Sequence, residues 1–401
     1  MHHLSNSKKK YVFKKSQRSQ YLRGLTGFRG FAALLVFMAH LHYRSGAPEW
    51  NFLGIDWLAI ASYGDSGVGI FFVLSGFLIS MPFWKSIINN QSFPEIRPYL
   101  WRRAMRIMPA YYIILFVLYI FHGGTYTHIG LLDLALHASC LQNFAQMSYN
   151  SPLNPPLWSI GIEFQFYCFL PIYMIIMYKL RHIHILLILP VLFFFIEFMR
   201  SGTTVVLTNF AAYVPDRIMP HDGGNVATWS VFYYYRLFFF GMMASAIWIR
   251  YADNISKIKN IGIYSDLIVL SSLSALIIVI SNGYPGAYKV PNINGWPTQA
   301  LLSMLIIFFL PLSRIASSLF EWSPIYWLGE VSYAIYLWHW PIQVSVFQSP
   351  LMQHLNSDLK FIIGGSIAIV VTLVAATASY IFVERRILSI PYPFKRRITQ
   401  C

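Results

Sequence analysis

Long apolar runs recur along this sequence, and they decide the solvent in which the chain folds. Only 11% of its 401 residues are charged, against roughly 25% in a soluble domain, while 56% are hydrophobic. About ten runs approach the ~20 residues that a helix needs to cross a bilayer. They lie near residues 28–45, 65–84, 107–122, 157–178, 183–199, 229–249, 263–281, 298–313, 328–347 and 361–383. The sequence therefore predicts an all-α, polytopic integral membrane protein with about ten transmembrane helices.

The distribution of basic residues predicts the orientation. Lys and Arg are retained on the cytoplasmic side, and most of the 30 fall in segments that lie inside when the N-terminus is cytoplasmic. An even number of spans returns the C-terminus to the same side. The predicted domains are a basic cytoplasmic tail (1–24), a membrane domain (25–387) and a second basic tail (388–401). The net charge of +15 follows from this asymmetry, and no soluble basic face indicates nucleic-acid binding.

One apolar stretch is predicted not to span. Residues 129–147 carry Asp133 and His137, so we interpret this segment as interfacial or re-entrant. The three cysteines show no disulfide framework, and neither they nor the outer-loop histidines have metal-ligand spacing. No metal is therefore predicted.

The stretch RGFAALLVFMAH (29–40) places two ionisable residues in the first apolar run. Arg29 and His40 are eleven positions apart, which returns to within roughly 20° of the same helix face over a rise of about 16 Å. Ionisable groups within a membrane usually face a cavity or a pathway. Arg29 has an alternative role as a snorkelling anchor, and His40 as a packed core residue. We favour the functional interpretation of both.

Three further spans carry ionisable groups at a comparable depth. Glu163 lies about two turns into LWSIGIEFQFYCFLP, His339 eleven residues into LGEVSYAIYLWHWP, and Arg236 about two turns into its own span. Together with His40 they form one level on four spans, in the outer half of the bilayer, which indicates a lined site. For His339 there is a second interpretation, because YLWHWP is also typical of an aromatic belt at a membrane interface.

A series of motifs follows a definite order along the chain. They are the arginine, ten residues and histidine of the first span, SGVGIFFVLSGFLIS (66–80), WRRAMRIMPAYY (101–112), PPLWSIGIEFQFY (155–167), LGEVSYAIYLWHWP (328–341) and VERR (383–386). Together they resemble the acyltransferase-3 family of integral-membrane acyltransferases, from about residue 22 to 387. The sequence departs from the family at Thr26, where an aspartate is common, so no role of that aspartate carries over.

The resemblance implies an O-acyltransferase of the bacterial inner membrane that moves an acyl group, commonly acetyl, from acyl-CoA to a hydroxyl. The acceptor would be a cell-surface glycan or lipid-linked sugar, such as a lipopolysaccharide O-antigen or an exopolysaccharide. Arg102, Arg103 and Arg106 of the basic inner loop would bind the nucleotide phosphates of the donor, with Arg29 just inside. The positive-inside bias explains these three arginines equally well.

The remaining residues suit the chemistry of transfer. His40 would be the general base that takes the proton of the acceptor hydroxyl, and Glu163 would orient it or stabilise its charged form. Arg236 or a backbone N–H would bind the oxyanion of the tetrahedral intermediate. His339 and Trp158 would support the site around the acceptor.

Two other functions stay open at this stage. A transporter or flippase would use the same buried polar layer as a binding site or proton relay, although no inverted repeat is visible. An acyltransferase for a small hydrophobic acceptor, such as a macrolide, is the other alternative. Ser75 in FFVLSGF lacks the glycine spacing of a nucleophile elbow, so close helix packing is the expected role of that segment.

Overall fold

The computed structural model describes residues 23–52, 66–122, 130–144, 154–181, 231–281 and 297–393, with a few positions between these ranges. The helices are α1 (Arg23–Ser45), α2 (Ser66–Ile88), α3 (Ile96–His122), α4 (Gly130–Ala138), α5 (Trp158–Lys179), α6 (Val231–Ile255), α7 (Ile261–Ser281), α8 (Thr298–Phe309), α9 (Ile315–Glu321), α10 (Ser323–Glu330), α11 (Ser332–Phe347), α12 (Pro350–Gln353) and α13 (Ser357–Leu388). Two-residue strands, β1 (Asn51–Phe52) and β2 (Ile55–Asp56), pair antiparallel. Short 3-10 turns are formed by Gln142–Phe144, Pro155–Leu157 and Leu310–Leu312.

Six of the described helices are long and apolar enough to cross a membrane, namely α1, α2, α3, α5, α7 and α13. The predicted all-α, polytopic membrane fold is confirmed. The total of ten spans and the side of the termini stay predictions, because the fifth predicted span (183–199) falls almost wholly outside the described residues. α4 has nine residues, too few to span. This length agrees with the interpretation of 129–147 as a segment that does not cross.

The sixth predicted span coincides with α6. Its 25 residues extend about 37 Å, enough to cross the hydrocarbon core. A tyrosine-rich start and Arg236 lower its hydropathy, which explains why it does not join the six apolar helices.

The third span begins earlier than its apolar run. The sequence placed its start near 107, whereas α3 begins at Ile96. Arg102, Arg103 and Arg106 therefore lie within a helix and not in a loop, which corrects the prediction. Pro98 fits the first turn of a helix, where the N–H that proline lacks has no intrahelical partner.

The eighth predicted span, 298–313, does not continue as a straight helix. α8 ends in a 3-10 turn, and α9 leaves at 93° to it. Asp266 of α7 caps the new helix, because its Oδ1 accepts hydrogen bonds from the backbone N–H of Arg314, Ile315 and Ala316 at 3.1, 2.9 and 3.0 Å. One buried carboxylate thus satisfies amides that lipid cannot solvate.

The ninth predicted span, 328–347, is also divided. α10 ends at Glu330 and α11 begins at Ser332, with Val331 between them at φ −90° and ψ 4°. α11 alone is 16 residues long, or about 24 Å. The prediction of one continuous helix here is therefore wrong.

The chain divides into two compact units. The first comprises residues 1–43, 47–78 and 240–332. The second comprises residues 44–46, 79–239 and 333–401. Large aromatic side chains are fully buried in both, among them Phe28 and Phe77 in the first and Tyr111 and Phe166 in the second.

In the first unit, α1 packs backbone to backbone against α9 and α10. A Cβ on Gly27 would meet the backbone of Phe320, and a Cβ on Gly30 would lie 2.7 Å from the amide nitrogen of Gly329. Thr26 belongs to the same crossing, since a Cβ on Gly329 would meet its carbonyl. The two glycines of TGFRG therefore allow the close helix approach that small residues provide in membranes.

In the second unit, aromatic rings join α5 to α6. Phe166 stacks on Phe238 with centroids 3.9 Å apart and an interplanar angle of 15°. The Tyr99 hydroxyl of α3 donates to the carbonyl of Tyr167 on α5 at 3.1 Å. The Tyr333 hydroxyl of α11 donates to a carbonyl of α3, that of Ile107, at 2.8 Å. These contacts hold α3, α5, α6 and α11 together.

Candidate functional site

Arg29 and His40 lie on α1 in the first unit. The helix is continuous from Arg23 to Ser45, so the eleven-residue spacing keeps both near one face and about 16 Å apart along the axis. Both are half-buried, whereas the adjacent Phe28 and Leu41 are buried. α1 is thus an interior helix that leaves both ionisable side chains partly accessible.

Glu163 lies in the second turn of α5, in the second unit. The hydroxyl of Tyr167 donates a hydrogen bond to its Oε1. Residues four positions apart share a helix face, which makes this contact possible. Glu163 is half-buried, while Tyr167 is only 3% exposed. Sequence reasoning missed Tyr167, although the spacing in EFQFY carried the signal.

The three arginines predicted to bind donor phosphates differ in their surroundings. Arg102 is exposed, whereas Arg103 and Arg106 are half-buried. The charges of Arg103 and Arg106 are within electrostatic reach of the Tyr167 phenol. The buried Nε of Arg103 has no hydrogen-bond partner among the described residues. We call Glu163, Tyr167, Arg103 and Arg106 the polar layer of the second unit, because Tyr167 bonds to Glu163 and its phenol feels the charges of both arginines.

Arg236 lies on α6 and Trp158 on α5, the two helices that the stacked rings of Phe166 and Phe238 join. The Arg236 guanidinium is 4.1 Å from the centroid of the Tyr233 ring, one turn earlier on α6. A ring face stabilises a cation that has lost its water, and Arg236 is only 7% exposed. The Trp158 and Tyr234 rings lie 5.1 Å apart. The helices that carry Glu163 and Arg236 are thus neighbours.

His339 is buried in α11. Its Nδ1 lies 2.8 Å from the carbonyl oxygen of Tyr336 and 3.1 Å from that of Ile335. Two acceptors around Nδ1 assign the proton to this nitrogen, so Nε2 carries the lone pair. These bonds orient the ring within its own helix, and the supporting role of His339 stays a prediction.

Polar contacts attach the His339 turn to the start of α5. The Tyr336 hydroxyl donates to the carbonyl of Pro156 at 2.6 Å, so the Ser159 hydroxyl, also at 2.6 Å, donates to it. Asn154 Nδ2 donates to the carbonyl of Leu337 at 3.2 Å. Sequence reasoning did not single out these residues, because most of their partners are carbonyls that no motif identifies.

His137 of α4 is part of a buried pair. Its Nδ1 lies 3.1 Å from Oδ1 of Asp133 and 2.9 Å from the carbonyl of the same residue. Across the part of the chain that the structure describes, no group of three or more His, Cys, Asp or Glu side chains is placed to hold a metal ion.

The predicted site residues divide between the units. Arg29 and His40 belong to the first, and the other seven to the second. Within the second unit Glu163 accepts a hydrogen bond from Tyr167, and Arg103 and Arg106 act on the same phenol through their charges. The shared depth of His40 and Glu163 stays a prediction.

Comparison with known proteins agrees with the order of motifs in the sequence. The acyltransferase-3 family, described as an acyltransferase domain, matches residues 22–381. The chain is 27% identical over 414 residues to YrhL of Bacillus subtilis (strain 168), which carries the name of a peptidoglycan O-acetyltransferase, covering 96% of this chain and 58% of that protein. It is 24% identical over 386 residues to the peptidoglycan O-acetyltransferase OatA of Listeria monocytogenes, with 91% and 55% covered.

A third relative is the O-acetyltransferase OatA of Staphylococcus aureus (strain NCTC 8325), 25% identical over 389 residues, with 91% of this chain and 57% of that protein covered. The chain thus spans somewhat more than half the length of these relatives. No solved structure matches the chain.

Proposed function

This chain belongs to the acyltransferase-3 family, and on that premise we propose that it transfers an acetyl group from cytoplasmic acetyl-CoA to a hydroxyl of a cell-envelope glycan. It is a multi-pass integral membrane protein. The names of its relatives favour peptidoglycan as the acceptor. A lipopolysaccharide O-antigen and an exopolysaccharide are the other acceptors to test.

The observation that carries the proposal is the polar layer of the second unit. The Tyr167 hydroxyl donates to Glu163, and the charges of Arg103 and Arg106 act on the Tyr167 phenol, in a segment of apolar helices. Charged side chains within membrane helices are costly and mark functional sites. Arginines suit an anionic donor and a reaction in which charge develops on oxygen.

The proposed reaction is a direct acyl transfer. The acceptor hydroxyl oxygen attacks the thioester carbonyl carbon, forming a C–O bond, and the C–S bond then breaks. His40 takes the hydroxyl proton and delivers it to the departing sulfur, so that acetyl ester and coenzyme A leave with protons balanced. In this proposal Arg103 and Arg106 bind donor phosphates.

The test is turnover of acetyl-CoA by the purified protein in nanodiscs with a soluble glycan acceptor. His40→Ala should leave donor affinity largely intact and cut turnover about 10²–10⁴-fold, the contribution expected of a general base. Mass spectrometry of envelope glycans from cells with and without the gene then identifies the acceptor. Wild-type protein that binds a glycan but never consumes acetyl-CoA would refute the proposal and favour a transporter.

A further inference from the structure

The side-chain amides of Gln142 and Asn143, which are adjacent in the chain, bind backbone carbonyls at the start of α5; we call this pair of amides the clamp. The Nε2 of Gln142 donates to the carbonyl of Leu157 at 2.9 Å, and the Nδ2 of Asn143 donates to the carbonyl of Trp158 at 2.9 Å. Gln142 and Asn143 are 0% and 1% exposed. Because each nitrogen faces a carbonyl oxygen, flipping either amide would set oxygen against oxygen, so the donor assignment is determined.

The clamp leaves no room for a side chain on the facing helix. A Cβ on Gly161 would lie 2.5 Å from Oδ1 of Asn143 and 2.7 Å from Nε2 of Gln142. Both amides are therefore seated against the backbone of α5 itself. Glycine at 161 is what permits this approach.

A second hydrogen bond continues the same attachment further along the helix. Gln165 Nε2 donates to the carbonyl of Cys140 at 2.7 Å. The segment from Cys140 to Asn143 is thus bonded to α5 both before and after Glu163. Trp158 and Glu163 lie on the stretch of helix that these bonds hold.

We propose that Gln142 and Asn143 are positioning residues for the acyl-transfer site: they fix the axial position and rotation of the first two turns of α5, and with them Trp158 and Glu163. The inference rests on the proposed function. Neither amide needs to touch a substrate. A shift of about 1 Å in a reacting constellation lowers rates about 10²-fold, so the clamp governs turnover while the rest of the fold stays intact.

The test uses variants of the whole protein in nanodiscs. Gln142→Met keeps the volume of the side chain and removes both hydrogen bonds of its Nε2, to the carbonyl of Leu157 and, at 3.3 Å, to the hydroxyl of Tyr111. Asn143→Ala removes the bond to the carbonyl of Trp158. The control is Tyr112→Phe, which removes the hydrogen bond from the Tyr112 hydroxyl to the carbonyl of Ala138 at 3.0 Å. That bond joins α3 to the end of α4, just before the segment from Cys140 to Asn143, and involves no residue of α5.

Two readouts separate a positioning role from a merely structural one. We expect Gln142→Met and Asn143→Ala to lower kcat about 10- to 100-fold with the donor KM within about twofold of wild type. Amide hydrogen exchange should rise in residues 157–166 and not in 171–179. Tyr112→Phe should change neither.

Gly161→Ala provides an independent test that leaves both amides in place. Alone it should lower kcat like Asn143→Ala, because the new Cβ displaces the clamp. Combined with Asn143→Ala it should cost less than the product of the two single effects, since the methyl group enters the space that the amide leaves.

Three results would overturn the inference. They are turnover of both clamp variants within threefold of the Tyr112→Phe control, a loss confined to the acceptor KM, and unchanged exchange in 157–166. The exchange measurement needs no activity. An inactive wild type would therefore refute the proposed function while the clamp itself is still tested.

Discussion

Replacement of Tyr167 by phenylalanine tests whether the environment of Glu163 matters to turnover. The substitution removes the hydroxyl that donates to Oε1 of Glu163 and leaves the buried ring in place. Because the ring stays, the stacked contacts of α5 with its neighbours should persist. The substitution then removes a single hydrogen bond, the one that Tyr167 donates to the charged Glu163.

The magnitude follows from that bond. A hydrogen bond to a charged group contributes about 1.5–3 kcal/mol. If the whole of this contribution is needed in the transition state, turnover falls about 10- to 150-fold, since 1.4 kcal/mol corresponds to a factor of ten. Donor affinity should change little, because Arg103 and Arg106 are untouched.

The assay is acetyl-CoA turnover at saturating donor, with Tyr173→Phe as the matched control. Tyr173 lies on the same helix, and its buried hydroxyl has no hydrogen-bond partner within the described ranges. Its loss should leave turnover within about twofold. If Tyr167→Phe retains wild-type kcat in a well-folded protein, the link between Tyr167, Glu163 and turnover is wrong.

Three further predictions concern donor binding, the bent helix pair and topology. Arg103→Ala and Arg106→Ala should each weaken acetyl-CoA binding by about 1.5–3 kcal/mol. Arg102 is exposed, so Arg102→Ala should weaken binding less in the same titration. Equal effects of the three substitutions would favour the positive-inside bias as the reason for all three arginines. Asp266→Ala should destabilise the protein by about 0.5–2 kcal/mol, as loss of a helix N-cap does, and so lower its melting temperature in detergent. Asp266→Asn keeps an acceptor oxygen and should lower the melting temperature less. Equal melting temperatures of the two variants would contradict the capping role. Cysteines introduced near residues 55 and 355, in a protein lacking Cys168 and Cys401, should react with an impermeant maleimide on intact cells. Cys140 should not react, because burial raises the pKa of its thiol to about 12. Protection of either introduced cysteine would refute the predicted orientation.

Hydropathy was enough to predict the class of fold and the approximate place of most described spans. It was not enough to predict where α3 begins, because the segment from Ile96 to Arg106 is helical without being apolar. Pro98 carried a local signal for that boundary. The shared helix face of Arg29 and His40 was also predictable from the sequence, because it depends only on the geometry of one helix.

Two features of the structure could not be predicted from the sequence, because they depend on contacts between distant segments. The 93° turn after α8 needs Asp266, which lies on another helix. The clamp at the start of α5 joins side chains to backbone carbonyls, and every residue offers such a carbonyl. Neither feature leaves a pattern in hydropathy or in residue spacing, so each required the three-dimensional arrangement.

Asp266 also imposes an order on biogenesis. It is synthesised 48 to 50 residues before the amides that it caps. While α7 enters the bilayer, the growing chain therefore holds an aspartate whose partners do not yet exist. Asp266 lies in the second turn of α7, so inserting it costs less than the roughly 2.5–3.5 kcal/mol of an aspartate at the centre of a helix. That cost is relieved only when the first turn of α9 emerges and docks. We expect a nascent chain that ends after α7 to lack these three bonds, so that Asp266 reaches its final environment only after α9 has been made.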